Sequence, residues 1–222
     1  MDPFWLFLIL FVALVVGLIG LNFYQEKKRR ETLEQLASQL GMQFTAEPGQ
    51  GIPARRVTSV DFEIFQRGRS RRSSNFLSKQ LIDGTEITLF DYQYTSGSGK
   101  NRSTYRMTIF SAYQEDLHLP SFRLHPENAL FHGIAKAFGM KDINFESHPK
   151  FSRLYLLRGQ DEDQIRLRFH PGVLTFFEEN PNYIVEGSGP HLIFWRSNQR
   201  VNPEGMAAFM RLGEELVQRL RR

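Results

Sequence analysis

Residues 4–23 read FWLFLILFVALVVGLIGLNF, with no ionised side chain and Asn22 as the one strongly polar member. A helix of about 20 residues, rising roughly 1.5 Å per residue, spans the roughly 30 Å hydrocarbon core of a bilayer. It also satisfies its own backbone hydrogen bonds, the condition for lying in lipid. The run therefore reads as a transmembrane anchor occupying residues 1–24. Two alternatives fit less well. A cleaved signal peptide has a positive n-region, a short apolar core and a small-residue cleavage site. Met1, Asp2 and Pro3 bring no positive side chain, and no A-x-A-like site follows. A buried core helix is usually shorter than this run.

The flanks set an orientation. Lys27, Lys28, Arg29 and Arg30 follow the run and no Lys or Arg precedes it. Positive residues stay on the cytoplasmic side. The expectation is a single-pass membrane protein, N-terminus outside, with the C-terminal domain in the cytoplasm. Trp5 and Tyr24 fall near the two ends of the run, where amphipathic rings favour the head groups. Ala13 and Gly17 form a small-xxx-small pair that would let two such helices approach, although small residues are also tolerated facing lipid.

Beyond the anchor the chain has room for one ordinary domain or two small ones. It contains no cysteine, which removes disulfides, Cys-ligated zinc and a thiol nucleophile. The 20 phenylalanines argue for a packed core rather than disorder.

Residues 25–41 continue as an amphipathic juxtamembrane helix, with Leu33, Leu36, Ala37 and Leu40 at helical spacing and Gly41 as the stop. Its stripe docks on the domain or pairs with a second copy. Residues 47–53, EPGQGIP, read as a hinge, and residues 57–65 as a strand. Residues 66–75, QRGRSRRSSN, read as an exposed loop carrying Arg67, Arg69, Arg71 and Arg72. Residues 83–113 read as a hairpin. Phe90, Tyr92 and Tyr94 alternate against Ile87, Leu89 and Asp91, and TSGSGKNR makes the reversal. A helix is expected after Pro126, with Leu130, Phe131, Ile134 and Phe138 as its stripe. Strands at residues 143–145 and 151–157, two short helices opening at Asp161 and Pro171, a hairpin over residues 183–195 and a helix over residues 203–219 complete the chain.

The order of elements predicts an α+β fold. An antiparallel sheet carries helices on one face, in two β-x-β-β-α halves at residues 57–139 and 143–221 of a domain covering residues 42–222. Tight hairpins rather than crossovers join the clearest strands, which argues against a doubly wound parallel sheet.

The stretch LFDYQYTSGSGKNRSTYRMTIFSAY, through Phe90, Asp91, Tyr92, Tyr94, Gly97, Ser98, Gly99 and Lys100, resembles a family of uncharacterised bacterial single-pass membrane proteins. These carry one N-terminal transmembrane helix and a domain of unknown function. The resemblance covers about 30 residues well. It implies a bacterial protein anchored in the inner (cytoplasmic) membrane and supplies no activity, substrate or cofactor.

Catalytic patterns are sparse. Gly97-Ser98-Gly99-Lys100 lacks the upstream glycine and the hydroxyl of a phosphate loop and lies in a hairpin. His118, His125, His132, His148, His170 and His191 form no zinc spacing. No G-x-S-x-G surrounds a serine. The arginines at 67, 69, 71 and 72 read as a solvated loop, a contact for anionic lipid, or, less well, a nucleic-acid contact without its module. The expected function is a membrane-tethered binding or scaffold domain that contacts lipid or a protein partner and needs no cofactor. The alternative is a hydrolase or transferase built around Asp91, Tyr92 and Lys100.

Overall fold

The computed structural model describes residues 3–47, 60–127 and 142–221. Helix α1, Pro3–Gln39, runs unbroken for 37 residues. The boundary between anchor and juxtamembrane helix at residue 24 is therefore not a break in the chain. Residues 7–28 are exposed throughout. Burial begins at Arg29 and recurs at Leu33, Leu36, Ala37 and Leu40, the spacing of one helix face. The amphipathic stripe thus docks on the domain. Gly41, at φ +63°, ends the helix: its N–H bonds to Ser38 and that of Met42 to Ala37 at 2.8 Å.

The chain then reverses into β1, Gln43–Thr45, and the short helix α2, Glu63–Gln66. Strands β2, Arg69–Gln80, β3, Glu86–Ser96, β4, Ser103–Tyr113, and β5, Leu119–Pro126, follow. Helix α3, Pro149–Leu154, runs directly into β6, Tyr155–Gly159. Helices α4, Glu162–Arg168, and α5, Pro171–Glu179, lead to β7, Ile184–Gly189, β8, His191–Trp195, and α6, Met206–Leu220.

All strands form one antiparallel sheet of order β1-β2-β3-β4-β8-β7-β5-β6. This is the α+β fold expected. The two hairpins, β3–β4 and β7–β8, meet in mid-sheet, where Phe110 pairs with Phe194. β2 flanks the first hairpin and β5 the second. One face carries α1, α4, α5 and α6, whose Leu33, Ile165, Phe176 and Phe209 pack onto Leu89, Phe110, Val185 and Phe194. On the other face Phe62 and Ile64 beside α2 close over Phe76, Phe90, Ile109 and Trp195. There Phe76 and Phe90 stack at 5.2 Å and Tyr94 and Tyr105 at 5.1 Å.

Four local expectations are corrected. The arginine stretch is not a loop but most of β2, because the N–H and C=O groups of β3 hold it in register: Arg72 faces Gln93 and Ser73 faces Tyr92. Ser70 and Asn75, both at positive φ, mark two irregularities in that register. Second, residues 63–65 of the expected 57–65 strand are helical, since the Glu186 carboxylate takes the N–H groups of Glu63 and Ile64. Third, residues 149–154 are helical: Pro149 suits the first turn and Glu178 accepts the Phe151 N–H at 3.0 Å. The strand starts at Tyr155. Residues 143–145 form no strand; the Ile143 N–H makes a single bond to Leu157. The helix expected after Pro126, the hinge residues beyond Glu47 and residues 57–59 lie outside the described residues.

The remaining elements follow from caps and turns. Asp161 accepts the Gln164 N–H at 3.0 Å and starts α4. Nδ1 of His170 accepts the Gly172 N–H, and its Nε2 donates to the Arg219 carbonyl, tying the start of α5 to the end of α6. Within α6, Gly213 lies flat on Phe110: a Cβ there would fall 2.4 Å from the ring. In an open helix Gly→Ala stabilises by about 0.5–1 kcal/mol. Here we predict the opposite sign. G213A should destabilise by about 1–3 kcal/mol, the usual range for overpacking, as read by chemical denaturation. A gain in stability would show that the contact is loose.

Candidate functional site

The hairpin residues singled out in the sequence do not converge. Asp91 is buried on the helix-covered face and Tyr92 and Tyr94 on the other, as the pleat requires. Lys100 sits in an exposed 3-10 turn, Gly99–Asn101, at the hairpin tip. The Tyr92 hydroxyl donates to the Ile64 carbonyl at 3.2 Å, and burial pushes its pKa up to about 12. Burial raises Tyr94 likewise.

Asp91 is the centre of a buried polar node. Arg29 grips it with two bonds, Nε to Oδ2 at 2.7 Å and Nη2 to Oδ1 at 2.8 Å. Asn75 donates to Oδ2 and Thr108 to Oδ1, each at 3.0 Å. Arg29 Nη2 also reaches the Val201 carbonyl at 3.0 Å, and the Val201 N–H bonds back to Thr108. One carboxylate therefore joins α1, β2, β3, β4 and the segment entering α6. Burial opposes the Arg29 cation, but the Asp91 hydrogen bonds and charge, with Glu26, outweigh it and raise its pKa. The node is held closed by protein groups and leaves Asp91 no oxygen facing solvent for chemistry.

The four arginines separate. Arg67 is mostly buried and bonds Glu63 at 2.5 Å, one helical turn back, so it belongs to the fold. Arg69, Arg71 and Arg72 are exposed. Arg69 donates to the Gly97 carbonyl, Arg71 to that of Phe65, and Arg72 pairs loosely with Glu47 at 3.3 Å. β1 covers only residues 76–78 of β2, so the arginines stand along the uncovered remainder.

A second polar cluster was not foreseen. Glu186 on β7 is 2% exposed, accepts the Glu63 and Ile64 N–H groups and lies 3.8 Å from Arg123 on β5. Arg123 also pairs with Glu63 at 3.0 Å. Burial pushes the Glu186 pKa up to about 7, against the two N–H bonds and Arg123. Nearby His125 is pushed down to about 3 by burial, then by the charges of Arg67, Arg123 and Arg158. Acids perturbed this far are often catalytic. This one holds α2 on the sheet through backbone bonds. Its sequence signal was slight: Glu186 occupies an inward position of a hairpin strand whose neighbours are apolar.

Among the described residues no group of His, Asp and Glu is placed to hold a metal. A shallow depression lined by Phe145, Pro149, Ser152 and Arg153 lies beside α3, and its Ser152 hydroxyl is engaged by the Phe145 backbone. No family model, curated protein or solved structure matches the chain.

Two predictions follow from the buried charges. R29M leaves the Asp91 carboxylate buried without its cation and should cost about 3–5 kcal/mol. The double variant R29M/D91L should lose less than the sum of the singles; strict additivity on denaturation in detergent would rule out the pairing. Glu186 binds its proton more tightly in the folded chain than its ordinary value of 4.5, so its contribution is full below pH 4.5 and lost as pH rises to about 7. His125 works in the other direction, full above its ordinary 6.5 and lost as pH falls toward 3. Between pH 4.5 and 6.5 the two slopes oppose. E186Q should therefore gain stability with rising pH over that window, relative to the parent. A profile parallel to the parent's would contradict this.

Proposed function

We propose that the chain is a membrane-tethered binding domain held on the cytoplasmic side of the bacterial inner membrane. The observation that supports it is the continuity of α1: a rod exposed over residues 7–28, and apolar up to Tyr24, becomes a core helix of the domain without an intervening joint. The helix is long and apolar enough to cross a membrane. Arg29, five residues after Tyr24, is already fixed to the sheet, so the domain sits about 8 Å from the end of the apolar run at 1.5 Å per residue. Arg200 adds a bond to Glu26 at 2.6 Å, closer still.

Such a domain keeps a fixed pose against the bilayer. That suits presenting a surface to lipid or to a protein partner in the membrane plane. Binding explains the arrangement better than hydrolysis or group transfer, because Asp91, Tyr92 and Lys100 point in three directions. Lys27, Lys28 and Arg30 remain exposed to keep the domain on the cytoplasmic side.

The absence of cysteine makes the topology directly testable. In intact cells a membrane-impermeant maleimide should label D2C, and should label R222C only after lysis. Labelling of R222C in intact cells would reverse the orientation. Release of the chain by alkaline carbonate would remove the anchor.

A further inference from the structure

The two ends of the sheet differ in distance from the anchor, and the chain path fixes which is nearer. α1 ends beside Ser78 and Thr88, because β1 starts at Gln43 opposite Ser78. Ten residues toward its N-terminus, Arg29 meets Asp91. Travelling up α1 toward the apolar run therefore means travelling along β3 from Thr88 toward Ser96. From Asp91 to Ser96 the strand advances about 16 Å at roughly 3.3 Å per residue. From Arg29 to Tyr24 the helix advances about 8 Å. Even with the helix crossing the strands obliquely, the β3–β4 tip arrives level with the end of the apolar run, where head groups lie.

That end of the sheet is cationic. Lys100 and Arg102 occupy the tip, Arg69 and Arg71 stand on the neighbouring strand and Arg106 on β4, all exposed. Among the described residues these five make no ion pair. The nearby carboxylates are engaged: Glu26 by Arg200, Glu31 by Lys27, Glu47 by Arg72 and Asp91 by Arg29. The tip is also small and polar, Ser96-Gly97-Ser98-Gly99, and Gly97 at φ +82° turns too tightly for a side chain: a Cβ would meet the Asn101 carbonyl at 2.2 Å. The opposite end, by contrast, carries the exposed Ile82 in the β2–β3 turn and Asp83, which Thr85 and Arg221 hold well below the usual carboxylate range.

We infer that the β3–β4 tip, with Lys100 and Arg102, and the adjoining Arg69, Arg71 and Arg106 form a docking surface for the head groups of anionic phospholipids in the leaflet that holds the anchor. The surface binds lipid phosphate through exposed cations, with glycine and serine placing backbone N–H groups at the same level. It deepens the tethered reading above and rests on it. Contact at the tip adds a second attachment beside the helix and stops the domain from tilting away from the bilayer. Charge attraction of this kind weakens with salt, since exposed cations act over about one Debye length, roughly 10 Å at 0.1 M.

The test uses the full chain in lipid nanodiscs, made with neutral phosphatidylcholine alone or with added phosphatidylglycerol. S98C carries an environment-sensitive fluorophore at the tip, and I82C carries it at the far end as control. In acidic discs at low salt, the Ser98 probe should be several-fold less accessible to an aqueous quencher than the Ile82 probe. Salt should erase the difference in the unmutated background, and K100E/R102E should erase it at low salt. Equal quenching at the two positions in acidic discs would overturn the proposal, as would protection that is the same in neutral discs. Protection that appears only on adding a soluble polyanion such as RNA would overturn it too, by assigning the surface to another ligand. Failure of the chain to enter discs at all would instead count against the tether.

Discussion

The bidentate grip of Arg29 on Asp91 fixes how the long helix sits on the sheet. Its two partners come from opposite worlds: a helix that is exposed over residues 7–28 and apolar up to Tyr24, and the first strand of the β3–β4 hairpin. Neither charge is tolerable alone in that position. A carboxylate 1% exposed needs a cation and further donors, and here the node supplies Arg29, Asn75 and Thr108. The same bonds that satisfy Asp91 tie the sheet to the helix. A helix with this attachment acts as a strut, whereas one ending in a flexible linker would act as a leash.

The rest of the architecture is consistent with a strut. The stripe of Leu33 and Ala37 continues the attachment with apolar contact, and Gly41 reverses the chain so that β1 lies beside the strand it pairs with. Farther from the apolar run, Lys79 with Glu214 and Arg221 with Asp83 secure α6 across the other end of the sheet. On the second face Glu186 does for α2 what Asp91 does for α1, using backbone N–H groups in place of a guanidinium. Two inward-pointing carboxylates on strands thus hold two helical segments, one on each face.

Much of this was legible in the sequence because it depends on local pattern. The long apolar helix, the amphipathic stripe after it with its Gly41 stop, both hairpins and the amphipathic C-terminal helix show themselves through period and turn residues. What was hidden depends on partners distant in the chain. The stretch RGRSRRSSN has no apolar alternation, so nothing local marks it as a strand; only the register with β3 makes it one. Asp91 stood out through its motif, but its role could not be read, since Arg29 lies 62 residues away and looked like one member of a cationic collar. Glu186 gave almost no signal. Charged residues in strands whose partners are remote defeat pattern reading, and both polar nodes of this structure are of that kind.

The Arg29–Asp91 bond requires that the apolar helix and the sheet move as one body. Because the chain has no cysteine, two spin labels can be placed at Val16 in the apolar run and Ser98 at the hairpin tip. Double electron–electron resonance on the reconstituted chain should give one narrow distance distribution, which broadens when Arg29 is replaced by methionine. A broad distribution in the unaltered chain would contradict the account, because the helix would then be free to swing relative to the sheet.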